Sequence, residues 1–230
     1  MTMIAANLQT VHARMSAACV AAGRDVRAVQ LLAVSKTFDA GAVQAAVAAG
    51  QTLFGENYVQ EAVGKIQALR TPSIQWHCIG PVKSNKTRLV AEHFDWMQSL
   101  DRLKIAQRLC EQRPAHLPPL QVCIQVNTDG GPTKAGVEPA GLLELARLVA
   151  VLPRLKLRGL MVIPEPAADF TSACVLHRRA KDLFDLLNAH GLALDTLSMG
   201  MSADLEAAVH AGSTMVRVGS AIFGGRSAAR

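Results

Sequence analysis

Eight short apolar stretches alternate with helix-like segments along almost the whole chain. They lie at about residues 29–35, 52–55, 74–80, 94–100, 120–127, 155–163, 194–199 and 214–219. The segments between them carry apolar residues at helical spacing, with Asp39 and Asp101 placed as N-caps of two of the helices. Short strands that alternate with helices predict parallel pairing through right-handed crossovers. Eight such strands favour a closed barrel over an open doubly wound sheet, and no glycine-rich dinucleotide motif follows the first strand.

One more helix is predicted in front of the first strand. Ile4, Leu8, Val11 and Met15 recur at helical spacing, and the pattern stops at Gly23. The 230 residues show no linker composition, low-complexity tract or strong internal repeat. The sequence therefore predicts one α/β domain over residues 1–230, a single (β/α)8 TIM barrel with an additional N-terminal helix.

Composition excludes several classes of function. The net charge is +6, but the basic residues are scattered without a Lys/Arg run or interleaved aromatics, so no nucleic acid partner is expected. The five cysteines include no C-x-x-C pair, which argues against a disulfide framework and a zinc site and predicts that most are buried. No apolar run has the length of a signal peptide core or a membrane span. A cytoplasmic protein with no membrane partner is expected.

Polar residues lie at the C-terminal ends of the predicted strands, where barrels of this type place their sites. They are Lys36, Glu56, Asn57, Asn127, Ser198 and Arg217. Each has a structural explanation by itself, since a lysine can extend to solvent and an asparagine can cap a helix. Together they predict side chains that converge on a ligand. His77, within the third strand, is expected to be a hydrogen-bonded supporting residue, and Glu56 is expected to pair with a cation.

Small-residue turns follow the seventh and eighth strands. Ser202 is predicted to open a helix over about 202–211, and Gly219 and Ser220 form the second turn. Free N–H groups at the start of a helix bind phosphate, and the loops after strands seven and eight are the usual phosphate site of these barrels. A simple N-cap at Ser202 and a tight turn at Gly219 are the structural alternative. A phosphate site opposite Lys36 indicates a phosphorylated aldehyde bound through a lysine Schiff base. This leaves pyridoxal 5′-phosphate (PLP) and a sugar-phosphate aldolase both open.

Seven stretches of the sequence resemble a known protein family, in the same order along the chain, and decide between the two. They are AVSKT (33–37), FGENYVQE (54–61), WHCIGPVKSNK (76–86), QVNTDGGPTKAGV (125–137), GLMVIP (159–164), LSMGMSADLEAAV (197–209) and GSTMVRVGSAIFG (212–224). In these the chain resembles the pyridoxal phosphate homeostasis protein family, single-domain relatives of the alanine racemase N-terminal barrel. It departs from the family pattern at Cys78 and Lys83.

The resemblance implies a fold type III PLP-binding barrel with PLP held as a Schiff base on Lys36. It places Arg217 toward the pyridine nitrogen. It also implies phosphate contacts from Ser202, Gly219 and Ser220, and a site lined further by Asn57, Ser198 and Met199.

An arginine at the pyridine nitrogen keeps that nitrogen unprotonated, which restrains carbanion chemistry. A racemase also needs an acid on the face opposite the lysine, and the racemases supply a tyrosine from a C-terminal β-domain of the partner subunit. This chain has only Tyr58, and its 230 residues leave no room for such a domain. We therefore expect a monomeric, non-enzymatic PLP binder that buffers or delivers the cofactor and so affects amino-acid and keto-acid homeostasis. PLP-dependent apoenzymes are the expected recipients. A weak PLP-dependent amino-acid racemase or related enzyme is the alternative.

Overall fold

Eight parallel strands close into a barrel in the computed structural model, which describes residues 2–69, 73–130 and 135–225. The strands are β1 (Gln30–Val34), β2 (Leu53–Glu56), β3 (Gln75–Cys78), β4 (Trp96–Leu100), β5 (Leu120–Gln125), β6 (Leu155–Met161), β7 (Thr196–Ser198) and β8 (Met215–Val218). Each strand pairs with the next in the chain, and β8 returns to β1 in a register that runs from Gln30–Met215 to Ala33–Val218. The predicted (β/α)8 TIM barrel is confirmed. Every strand falls inside its predicted stretch except β2, which extends one residue further to Glu56.

Helices precede the first strand, connect the strands and follow the last one. They are α1 (Met3–Ala21), α2 (Ala40–Ala48), α3 (Val59–Leu69), α4 (Thr87–His93), α5 (Leu103–Gln112), α6 (Pro139–Ala150), α7 (Phe170–Ala189), α8 (Leu205–His210) and α9 (Ser220–Phe223). The extra helix predicted in front of β1 is α1. None of the helices in the described ranges is both long and apolar enough to cross a membrane.

Two of the predicted helix starts are wrong. The Asp39 carboxylate accepts a hydrogen bond from the Ala42 N–H at 2.8 Å, as predicted for an N-cap. Asp101 does not cap α5, because Arg102 holds the N-cap position with an extended backbone. The helix after β7 begins at Leu205 and not at Ser202, because Asp204 accepts from the Met201 N–H at 2.6 Å and stabilises a turn before the helix.

The main core lies between the barrel and its helices, while a separate apolar cluster of Trp96, Cys123 and Met161 packs apart from it. The aromatic ring of His77 stacks on Trp96 with ring centroids 4.9 Å apart. Four of the five cysteines are buried and Cys174 is half-buried, as the composition predicted. The barrel is thus a packed scaffold, and the free space lies at its rim.

Candidate functional site

A cavity of about 380 Å³ opens at the C-terminal ends of the strands. Its walls include residues that follow β1, β2, β3, β6, β7 and β8. Six of the eight predicted site residues line it: Lys36, Asn57, Ser202, Arg217, Gly219 and Ser220. The apolar part of the wall, which sequence reasoning did not single out, comes from Val34, Phe38, Ile79, Ile163 and Met201. The available signal was their position, since each lies at the end of a strand or within four residues after it.

Ser198 and Met199 lie behind the cavity wall. Met199 is fully buried in the main core, so its side chain supports the wall. Ser198 is also fully buried, and its hydroxyl accepts a hydrogen bond from Arg217 Nη1 at 2.8 Å. Each of the two residues can therefore act on a ligand only through a neighbouring residue that lines the cavity.

Lys36 follows β1 by two residues and stands in a turn. Its side chain is half-buried and lines the cavity. Thr37, the next residue, has φ of 69°, which is an unusual conformation for a β-branched residue. The predicted cation partner of Glu56 is present as Lys65 on α3, with Lys65 Nζ 2.7 Å from Glu56 Oε1.

Arg217 presents a fixed positive charge to the cavity. The side chain is 4% exposed, and its Nη2 donates to the Val162 carbonyl oxygen at 2.8 Å while Nη1 donates to Ser198. Burial lowers the pKa of Arg217 to about 10, so the guanidinium stays charged near neutral pH. Two hydrogen bonds fix its plane, which gives the charge a defined direction.

A chain of hydrogen bonds runs from Arg217 to His77. Ser198 Oγ donates to Gln98 Oε1 at 2.7 Å, and Gln98 Nε2 lies 2.9 Å from His77 Nδ1. Because the amide nitrogen can only donate, His77 carries its proton on Nε2. That nitrogen has no partner among the described residues. The predicted hydrogen bond of His77 is confirmed, and its role as a supporting residue stays a prediction.

Two loops face each other as the candidate phosphate seat, which comprises Ser202, Ala203, Gly219 and Ser220. The hydroxyls of Ser202 and Ser220 are 3.4 Å apart. Within the described part of the chain, the N–H groups of these four residues donate to no backbone carbonyl. A Cβ on Gly219 would lie 3.1 Å from the Val34 carbonyl oxygen, so glycine allows the loop to approach β1.

The phosphate seat differs from the predicted one in the groups that donate hydrogen bonds. The six-residue helix α8 begins three residues after Ser202, so the expected helix N-terminus at Ser202 is absent. The donors are hydroxyl and N–H groups of the loop after β7 and of the turn at Gly219, where the four-residue helix α9 begins at Ser220. Successive N–H groups in such turns bind anions.

The carboxylates beside this seat are engaged elsewhere. Asp204 Oδ2 lies 2.9 Å from His177 Nε2, and Glu206 pairs with Arg14 at 2.8 Å. Burial raises the pKa of Asp204, but the hydrogen bonds from His177 and the Met201 N–H outweigh this and lower it below its usual value. Arg14 also donates to the Ser202 carbonyl oxygen at 3.0 Å. The acidic groups thus stabilise the loop.

Another candidate residue and the two departures from the family pattern lie outside the cavity lining. Asn127 accepts hydrogen bonds from the N–H groups of Asp129 and Gly130 through Oδ1, and so stabilises its own loop. Cys78 is fully buried, and burial raises the pKa of its thiol to about 12. Lys83 is exposed.

The residues present fit PLP. The cavity combines a lysine amine, a two-loop phosphate seat, a fixed cation and an apolar wall. Asn57 Oδ1 is buried without a hydrogen-bond partner among the described residues, so it offers an acceptor to a ligand hydroxyl.

The chain is similar in sequence to known proteins. The family model for the N-terminal domain of alanine racemase matches residues 3–227. A pyridoxal phosphate homeostasis protein from Pseudomonas aeruginosa is 56% identical over 226 residues, which cover 98% of this chain and 97% of that protein. This chain belongs to the pyridoxal phosphate homeostasis protein family. A second member, from Escherichia coli K12, is 53% identical over 229 residues, which cover 98% of this chain and 98% of that protein.

Solved structures agree with the sequence comparison. PipY from Synechococcus elongatus PCC7942, whose structure has PLP bound, superposes with a TM-score of 0.84 at 36% identity, over 96% of this chain and all of PipY. Alanine racemase from Corynebacterium glutamicum superposes with a TM-score of 0.74 at 16% identity, which shows a shared fold. The match covers 97% of this chain and 61% of the racemase.

Proposed function

We propose that this chain binds PLP in the rim cavity, holds it as a Schiff base on Lys36, and serves intracellular PLP homeostasis by buffering or delivering the cofactor. One observation carries the proposal: Lys36 and the two-loop phosphate seat line the same cavity, together with Arg217. Membership of the pyridoxal phosphate homeostasis protein family and the PLP bound to PipY support it.

Four residues of the cavity have named roles in this proposal. When bound, PLP supplies an aldehyde that condenses with a lysine amine and releases water. Lys36 contributes that amine. Ser202 and Ser220 donate hydrogen bonds to the phosphate, with the N–H groups of their loops. Arg217 holds its positive charge beside the ring nitrogen and so disfavours protonation there, because two adjacent positive charges repel.

We propose a carrier without catalytic turnover. Tyr58, the tyrosine of the chain, exposes 56% of its surface and is not among the described residues that line the cavity. A weak amino-acid racemase is the second candidate, favoured by the barrel shared with alanine racemase. Exchange of the Cα hydrogen of an amino acid in D₂O separates the two, since sustained exchange that depends on Lys36 would contradict the carrier.

The wider setting is part of the same proposal. We place the protein in the cytoplasm as one PLP-binding domain over residues 1–230, and as a monomer that passes PLP to PLP-dependent apoenzymes. The half-buried Lys36 and the open cavity mouth support transfer, because the cofactor stays accessible from solvent.

Absorption spectroscopy tests the lysine assignment. We expect the purified protein to show the visible band of a lysine–PLP Schiff base, and Lys36→Ala to lose it. Lys104→Ala, which removes an exposed lysine of α5, is the matched control and keeps the band. If the wild type shows no such band after PLP is added and unbound PLP is removed, the proposed cofactor is wrong.

A further inference from the structure

Three charged side chains hold the backbone on both sides of Lys36. We call Glu56, Glu61 and Lys65 the lysine clamp. The Ser35 hydroxyl donates to Glu56 Oε1 at 2.6 Å, and the Thr37 N–H donates to Glu61 Oε1 at 2.8 Å. The clamp therefore contacts the residue before Lys36 and the residue after it.

Lys65 joins the two halves of the clamp. Its Nζ donates to Glu56 Oε1 at 2.7 Å, to Glu61 Oε1 at 2.6 Å and to the Ser35 carbonyl oxygen at 2.8 Å. All three hydrogens of the ammonium are thus used. Because Lys65 projects from α3, the turn after β1 is fixed to a helix from which α2 and β2 separate it in the chain.

The burial of the clamp indicates a role other than stability. The side chain of Lys65 is 6% exposed and that of Glu56 is 0% exposed. Desolvation of both charges offsets much of their attraction, so a buried pair of this kind contributes geometry more dependably than net stability. A buried apolar pair would serve a purely structural purpose as well.

The contact with Thr37 holds a strained conformation. A β-branched residue with φ of 69° persists only where its surroundings fix it, and such residues concentrate at functional sites. Here the fixing contact is the hydrogen bond from the Thr37 N–H to Glu61. The strained residue directly follows Lys36, and both residues line the cavity.

We propose that the lysine clamp is a positioning device that directs the Lys36 amine into the cavity. The inference rests on the proposed function. None of the clamp residues is among the described residues that line the cavity, and the phosphate seat lies on the loops after β7 and β8. Covalent attachment of PLP therefore depends on the clamp, whereas binding of the phosphate group does not.

Two ligands separate these steps. Pyridoxamine 5′-phosphate carries the ring and phosphate but no aldehyde, so its affinity reports the non-covalent contacts of the cavity, which include the phosphate seat. With PLP, the Lys36 nitrogen forms a C=N bond to the aldehyde carbon, and the aldehyde oxygen leaves as water with two protons from nitrogen. Borohydride then adds hydride to that carbon and nitrogen takes a proton, which gives a stable adduct that mass spectrometry locates.

The variants remove the clamp in two ways. Glu61→Ala deletes the acceptor of the Thr37 N–H. The double variant Glu56→Gln/Lys65→Met leaves no unpaired buried charge and so preserves folding. Asp185→Ala, which breaks another Lys–acid pair four residues apart on α7, is the matched control.

We expect the rate of trapped attachment to fall by about tenfold or more in both clamp variants, since small misplacements of a reacting group are costly. Their affinity for pyridoxamine phosphate should stay within about twofold of the wild type, because the seat is a separate site. Asp185→Ala should match the wild type in both. Glu61→Gln keeps an oxygen acceptor for Thr37, so it should attach PLP faster than Glu61→Ala.

Several results would overturn the inference. Normal attachment in both clamp variants overturns the clamp alone, as does a parallel loss of pyridoxamine phosphate binding, which would indicate a general structural role. A wild-type protein that binds pyridoxamine phosphate but forms no adduct with PLP overturns the proposed function and the clamp together.

Discussion

His77 is an imidazole enclosed in the barrel, where only one of its nitrogens has a hydrogen-bond partner among the described residues. Burial lowers its pKa from 6.5 to about 3. The ring is therefore neutral at physiological pH and serves as the last acceptor in the chain that starts at Arg217. A neutral ring also adds no second positive charge behind that arginine.

This burial predicts a pH dependence of stability. Between about pH 6.5 and pH 3 the unfolded chain binds a proton at His77 that the folded chain does not. The contribution of His77 to the free energy of unfolding is thus constant above that window and decreases as the pH is lowered through it. From pH 7 to pH 5 the expected loss from this residue is about 2 kcal/mol.

Urea denaturation of wild type and His77→Asn at the two pH values measures the effect. Asparagine keeps an acceptor for Gln98 but does not titrate. We expect the variant to be less stable at pH 7 and to lose about 2 kcal/mol less than the wild type on going to pH 5. An equal loss in both proteins would contradict the assignment.

At the scale of elements, the contact between β6 and β7 depends on the absence of a side chain. Gly159 pairs with Thr196, and a Cβ on Gly159 would lie 1.6 Å from the Thr196 carbonyl oxygen. No side-chain rotation relieves this overlap because it involves the backbone. β7 has only three residues, so little pairing remains to hold it if the strands separate.

Gly159→Ala should therefore lower the free energy of unfolding by about 3 kcal/mol or more, as measured by urea denaturation. Gly64→Ala is the matched control, because a Cβ at that position of α3 meets nothing within 4 Å. Alanine has the higher helix propensity, so the control should be as stable as the wild type or more stable. A Gly159→Ala protein of wild-type stability would show that β6 and β7 are free to move apart.

Elements and strand ends were predictable because they depend on local patterns. The eight strands fall in short stretches rich in apolar residues, and six predicted site residues in or after their C-terminal ends converge on the cavity. The start of α8 was missed because a tertiary partner, His177, and the Met201 N–H together fix Asp204 outside the helix. Residues that act through a neighbour, such as Ser198, have the same sequence signature as residues that touch a ligand.

The lysine clamp could not be predicted from local sequence patterns alone. A cation was expected near Glu56, but its identity depends on how α3 packs against the turn after β1. A signal existed, since Lys65 falls on the same buried stripe of α3 as Val59 and Ala62 and lies four residues after Glu61. A lysine in an apolar stripe is a candidate for a buried ion pair.

For the whole molecule, closure of the barrel bears on its state of assembly. β8 pairs with β1, so the sheet has no free edge to pair with another chain. We expect a monomer of 24.5 kDa by light scattering over a range of concentrations, with and without PLP. A mass of twice that value, stable on dilution, would contradict the monomer proposal.

The long sequence separation between Arg14 and its partners shows that the site forms late in synthesis. It contacts Ser202 and Glu206 across 188 and 192 positions of sequence, and the cavity itself joins Lys36 to Ser220. During synthesis the ribosome produces the amine early and the phosphate seat last. Lys36 of a nascent chain is therefore without its phosphate seat for most of translation. Capture of PLP in the cavity then marks a chain in which the Ser220 segment has been synthesised and the barrel has closed.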